Sequence, residues 1–153
     1  PLTVTDRLLA EPPAFGVAAE VYSAPSFPLL RRDALEADRW NRLHPASRAR
    51  VPYVAQVLGP EGGPIVAATD WMKVIPQMVA PWVPATFVAL GTDGFGRSDT
   101  RESLRAFFEI DAAHIAAATM SALARDGAVT GKQAAAAIKD LGIDPEKVDP
   151  AAV

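Results

Sequence analysis

The residues best suited to chemistry sit together in Gly91-Thr92-Asp93-Gly94-Phe95-Gly96-Arg97-Ser98-Asp99, followed at once by Thr100-Arg101-Glu102-Ser103-Leu104-Arg105. Glycines let the backbone turn sharply. Three carboxylates (Asp93, Asp99, Glu102) and three guanidiniums (Arg97, Arg101, Arg105) share the segment. Phosphate binding is the first chemistry to test. The dinucleotide fingerprint requires G-x-G-x-x-G, whereas the order here is G-x-x-G-x-G. Gly127-Ala128-Val129-Thr130-Gly131-Lys132-Gln133 is one residue short of a Walker loop and ends in Gln. Nucleotide binding is expected at neither. Three readings remain for the charged loop. It is a capped, solvated helix start, an anion site in which Arg97 and Arg101 supplement the helix N-terminus, or a docking surface with Phe95 as its apolar anchor.

The other chemistry-bearing residues are sparse. There are two histidines and no cysteine, a poor set for a metal. His44, beside Pro45, reads as a helix C-terminal cap or as a polar contact to a neighbouring domain. His114 reads as a local partner of Asp111 three residues before it. No Ser-His-Asp arrangement follows from the spacing. Catalytic, cofactor-binding and metal residues are therefore expected to be absent. The candidate interface residues are Asp93, Gly94, Phe95, Gly96, Arg97, Ser98, Asp99, Arg101 and His44.

The elements that must position this loop can be read from pattern. Leu2 to Leu9 reads as a helix or its tail, ended by Pro12-Pro13. Val17 to Ser23 reads as a strand, with Pro25 and Pro28 marking the turn after it. Leu29 to Leu43 reads as a helix with Leu35, Trp40 and Leu43 as its apolar positions. Pro52 to Leu58 is ambiguous between helix and strand, and Gly59 to Pro64 is a loop. Ile65 to Thr69 is a strand, after which Asp70 is expected to cap a helix from Trp71 to Val79, kinked at Pro76. Thr86 to Leu90 is a strand feeding the glycine loop. Asp99 is expected to cap the next helix with Glu102 as reciprocal partner. Asp111 caps an alanine-rich helix to Ala124, with Ile115, Met120 and Leu123 inward. Thr130 and Gln133 form a capping box for a last helix ending near Gly142, and residues 145–153 form a polar tail. Strands alternating with helices imply a parallel sheet with both faces covered.

The 153 residues suit one domain, 1–153, with 1–16 an N-terminal piece and 144–153 a tail. Half the residues are apolar, which argues against disorder. A net charge of −3 argues against a nucleic-acid partner. No apolar run approaches a membrane span, and no basic flank and apolar core mark a signal peptide. Zero cysteines fits a cytoplasmic protein. The six arginines between Arg31 and Arg50, mixed with Asp33, Glu36 and Asp38, read as a solvated helix face. Because the chain starts at Pro1 without Met, a processed chain or a piece of a longer one is expected.

Four segments, in order, carry a resemblance: Arg39-Trp40-Asn41-Arg42-Leu43-His44-Pro45, Val51-Pro52-Tyr53-Val54-Ala55-Gln56-Val57, Ala68-Thr69-Asp70-Trp71-Met72-Lys73, and Leu90 to Glu102. From about Val17 onward the chain resembles the C-terminal domain of the homodimeric-type pyruvate dehydrogenase first component. The loop Gly-x-Asp-x-Phe-Gly-x-Ser is also similar to that of transketolases. The resemblance implies a transketolase C-terminal-like α/β fold: three layers, with a mixed, mostly parallel five-stranded sheet. Its first edge strand is missing here or reduced to Pro1-Leu2-Thr3-Val4. It implies that the full-length enzyme decarboxylates a 2-oxo acid, pyruvate, with thiamine diphosphate and magnesium and acetylates lipoyl groups. The family's Gly-Asp-Gly and Asn-pair cofactor motif is not in this chain, whose only Asn is Asn41. The chain alone is therefore expected to be inactive. Its implied partners are the preceding domains, the second subunit of a homodimer and the dihydrolipoyl acetyltransferase. A fragment freed from them is expected to self-associate through Phe95, Trp71, Trp82 and the Pro76–Pro84 segment. Two other readings stand beside this one: a stand-alone α/β binding module and a transketolase-like enzyme fragment.

Overall fold

Two short apolar segments, each four residues long, pair in parallel: β1 (Ile65–Ala68) and β2 (Phe87–Leu90). Ile65 lies opposite Phe87 and Ala68 opposite Leu90. A parallel pair needs a crossover connection. Here it contains α3 (Val74–Gln77) and a 3-10 turn at Ala80–Trp82. The computed structural model describes residues 15–59 and 62–152. The expected helix over Leu2 to Leu9, and part of the Gly59 to Pro64 loop, lie outside the described residues.

Helix α1 (Phe27–Leu43) starts two residues before its expected position. Ser26 is the cap, its side chain accepting from the Leu29 N–H at 3.3 Å. Pro28 thus lies in the first helical turn, where its missing N–H leaves nothing unsatisfied. The ambiguous segment is a helix, α2 (Tyr53–Val57). Leu30 from α1, Val54 from α2, and Val79 and Val83 from the crossover form one core cluster, with Ile65 and Phe87 packed against it from the strands. Side chains alternate along a strand, so Val66 and Val88 project to the other face of the sheet. Helix α5 (Ala112–Arg125) packs on both strands and against α6 (Gly131–Asp140). Met120, Ala134 and Ala137 form the second cluster there. Asp111 caps α5 and the Thr130–Gln133 capping box opens α6, as their sequences require.

Four expectations are corrected. Residues 17–24 pair with no strand among the described residues, and the side chains from Ala18 to Ala24 are exposed. A strand requires a neighbour for its backbone N–H and C=O groups. Here only Val17 is drawn in, packing with Phe15 against the second cluster. The described sheet has two strands, and the remaining strands of the expected five are not among the described residues. The apolar positions of α1 are also different. Leu35 and Leu43 are exposed, whereas Leu30, Ala34 and Ala37 are buried. Finally, the helix expected from Trp71 to Val79 is confined to Val74–Gln77, because the backbone of residues 71–73 is used by the loop after β2.

Candidate docking site at the strand ends

The chain leaves both strands at their carboxyl ends, and the two exits are stitched together. The Thr69 N–H donates to Leu90 O at 3.0 Å, and the Thr92 N–H to Trp71 O at 2.9 Å. The Thr92 hydroxyl donates to Asp70 O at 2.9 Å. Asp93 Oδ1 accepts from the Lys73 N–H at 2.9 Å, and its other oxygen lies 4.0 Å from Lys73 Nζ. Asp93, not Asp70, thus serves the start of α3. Gly91 is buried in the seam. A Cβ there would fall 2.4 Å from Trp71 O and 2.7 Å from Lys73 N. Only glycine permits that approach.

Beyond the seam the loop is held by the C-terminal tail. Gly94 has φ +106°, and a Cβ on it would meet Pro150 O at 2.5 Å. Pro150 is buried in a final 3-10 turn, Pro150–Ala152. Lys147 anchors the same tail: its Nζ donates to Ala106 O at 3.0 Å and Phe107 O at 2.8 Å, and lies 3.3 Å from Glu109. Those carbonyls close α4 (Arg101–Phe107), where a cation is favoured by the helix dipole. The segment expected as a polar tail is a strap over the loop. Sequence reasoning missed it, although a lone Lys among four carboxylates from Asp140 to Asp149 was its signal.

The helix after the loop begins one residue later than expected. Thr100 is the cap of α4, accepting from the Ser103 N–H at 3.2 Å, while Asp99 Oδ1 accepts from the Thr100 N–H at 2.7 Å. Thr100 occupies the cap position because its hydroxyl reaches the N–H three residues on. Glu102 is then an acidic first-turn residue and not a capping-box partner. The Arg97 guanidinium stacks over the Phe107 ring at 4.1 Å. Gly96, Ser98 and Arg101 are exposed. Phe95 projects from the loop with 83% of its surface exposed, and Trp71 on the neighbouring loop with 72%. Met72 and Val74 are also exposed. Trp82 and Pro76 are not part of this face: Trp82 packs on the first core and its Nε1 donates to Asp38 at 2.9 Å, and Pro76 is fully buried.

The two histidines take local roles. His44 ends α1, with its Nδ1 2.9 Å from Trp40 O and its ring stacked on Trp40 at 4.5 Å. It lies in a different loop from Phe95. His114 Nδ1 is 2.7 Å from Asp111 Oδ1, which also accepts the His114 backbone N–H. Burial raises the Asp111 pKa, but the backbone and side-chain hydrogen bonds from His114 and its charge outweigh burial, so the carboxyl lies below its ordinary value.

A cleft of about 850 Å³ runs between α4, α5 and the tail, lined by Arg97, Ser103, Phe107, Asp111, His114 and Lys147, among others. Its charged groups already have partners within the fold. Lys147 has three donors and three acceptors around it, and Arg97 lies on a ring. Among the described residues no three His, Asp or Glu side chains gather to hold a metal.

The sequence is similar to known proteins over most of its length. The family model for the transketolase-like C-terminal domain matches residues 5–111. The pyruvate dehydrogenase E1 component of Pseudomonas aeruginosa is 49% identical over 137 residues, covering 89% of this chain and 16% of that protein. The protein of the same name from Escherichia coli is 47% identical over 137 residues, 89% of this chain and 15% of that protein. The one from Mycobacterium tuberculosis is 41% identical over 143 residues, 94% of this chain and 15% of that protein. The chain thus spans about one sixth of the length of the curated relatives it matches. It belongs to the family of transketolase-like C-terminal domains.

Proposed function

We propose that this transketolase-like C-terminal domain is the non-catalytic end of a pyruvate dehydrogenase first component, and that its stitched strand-end loops dock on the rest of that enzyme. The observation that carries the docking role is the exposure of Phe95 and Trp71, 83% and 72%, on loops fixed by backbone contacts. Large apolar side chains cost least to bury at an interface when they are already held in place. Aromatic anchors on a rigid platform are what an interface core requires. Asp93 and Gly94 shape the platform, and Arg97, Ser98, Asp99 and Arg101 surround the anchor as a polar rim. His44 is a second, separate contact candidate.

In this reading thiamine diphosphate and magnesium are held by the remainder of a cytoplasmic enzyme. That enzyme decarboxylates pyruvate and passes the acetyl unit to lipoyl groups of a dihydrolipoyl acetyltransferase. The partners of this domain are the preceding domains and the second subunit of a homodimer. Phe95→Asp with Trp71→Ser, introduced into the whole gene product that carries this chain, tests the docking role. The expected result is loss of the assembled species in sedimentation, with the 153-residue chain itself melting as the wild type does. Unchanged assembly and unchanged melting of the whole protein would count against the proposal.

A further inference from the structure

Helix α1 carries a second surface that the docking loops do not explain. At 100° per residue, Arg31, Arg42, Leu35, Arg39, Arg32 and Leu43 fall within an arc of about 120°. Leu30, Ala34 and Ala37, the buried residues of α1, lie on the opposite side. All six residues of the arc are exposed, with Leu35 at 43% and Leu43 at 55%. Glu36 borders one edge of the arc and Asp38 the other. Two aspartates of the same helix are occupied elsewhere. Asp33 Oδ2 accepts from the Tyr53 N–H at 2.7 Å, and Asp38 Oδ2 from Trp82 Nε1 at 2.9 Å. The mixed charge of this segment therefore separates in the fold: two carboxylates serve α2 and the crossover, and four guanidiniums are left on one outward face with two leucines between them.

We propose that the outward face of α1 is a docking surface for an acidic polypeptide segment that alternates carboxylates with apolar side chains. Charge complementarity selects the occupant. The face has four arginines and no lysine, and the guanidinium fork matches a carboxylate in a two-bond geometry. The leucines interleave with the arginines along the helix. A membrane-binding helix instead segregates a continuous apolar face from its basic one. A segment with carboxylates three and four residues apart, flanking leucines, satisfies both kinds of group on this face. The surface is argued from α1 alone and does not rest on the reading of the whole enzyme.

The test uses the 153-residue chain and a synthetic helical peptide of about 15 residues with Glu and Leu at alternating three- and four-residue spacing. Isothermal titration is expected to show saturable binding that weakens with added salt. Arg31→Glu/Arg39→Glu/Arg42→Glu is expected to lower affinity about tenfold or more, with the helical circular dichroism unchanged. Lys132→Glu, at an exposed site on α6, is expected to leave affinity as it was. A peptide with every Leu replaced by Ser is expected to bind more weakly than the parent. Absence of binding, equal loss in the Lys132 variant, or equal affinity for the Ser peptide would overturn the proposal. Tighter binding of anionic lipid vesicles or duplex DNA at α1 would overturn it too.

Discussion

Gly91→Ala should be far more damaging than Gly96→Ala, though the two positions are five residues apart in one loop. At Gly91 the added methyl would meet Trp71 O at 2.4 Å and Lys73 N at 2.7 Å. Both are backbone atoms, so no side chain can swing aside. Relief requires the exits of β1 and β2 to separate. That would cost the bond from the Thr92 N–H to Trp71 O, the bond from the Thr92 hydroxyl to Asp70 O, and the bond from the Lys73 N–H to Asp93. At about 1 kcal/mol for each hydrogen bond, with residual strain on top, the loss is roughly 2–4 kcal/mol. For a domain of this size that corresponds to a fall in Tm of about 5–15 °C. At Gly96 an added Cβ meets no atom within 4 Å, and the residue is not in the positive-φ region. Gly96→Ala should therefore stay within about 0.5 kcal/mol of the parent. Urea unfolding followed by Trp fluorescence measures both. Equal stability of the two variants would refute the argument that the strand exits are locked together at Gly91.

Three further outcomes follow from the strap and the α5 cap. Gly94→Ala combines an unfavourable φ with a contact on Pro150 O. It should destabilise by about 1–3 kcal/mol and raise hydrogen exchange in residues 147–152; slow exchange there would contradict the strap. Lys147→Met keeps the aliphatic stem but removes the cation from the last carbonyls of α4. A loss of about 1–3 kcal/mol in chemical denaturation is expected, and an unchanged midpoint would count against that anchor. Asp111 has a folded-state pKa below its unfolded value of 3.8. Its contribution is thus present above pH 3.8 and lost as pH falls through the lower folded value. Asp111→Asn keeps the cap but should flatten the acid limb of the stability–pH curve, and an unaltered limb would contradict the assignment.

The parts of the fold legible in the sequence are those decided locally. The parallel pair β1 and β2 came from short apolar runs bounded by turns, and the caps at Asp111 and Thr130 from residues that satisfy N–H groups two or three positions on. The failures share a non-local cause. Residues 17–24 have strand-like composition, but a strand is made by its neighbour. Trp71 to Lys73 have a helix-like context, but the loop after β2 takes their backbone groups. Leu35 and Leu43 were apolar residues on a helix, and periodicity could not say which side of α1 would find a core. The loop itself was found by its glycines, and Phe95 stands exposed on it. The reasons for Gly91 and Gly94 could not be found from the loop alone, since they lie in Trp71–Lys73 and in Pro150.

Turnover of pyruvate measured side by side on the whole gene product and on the 153-residue chain tests the central claim most directly, each with thiamine diphosphate, magnesium and an artificial electron acceptor. Decarboxylation is expected from the whole protein and none from the chain, which contains neither a Gly-Asp-Gly nor an Asn pair. Turnover by the 153-residue chain, or a whole gene product inert toward pyruvate, would contradict it.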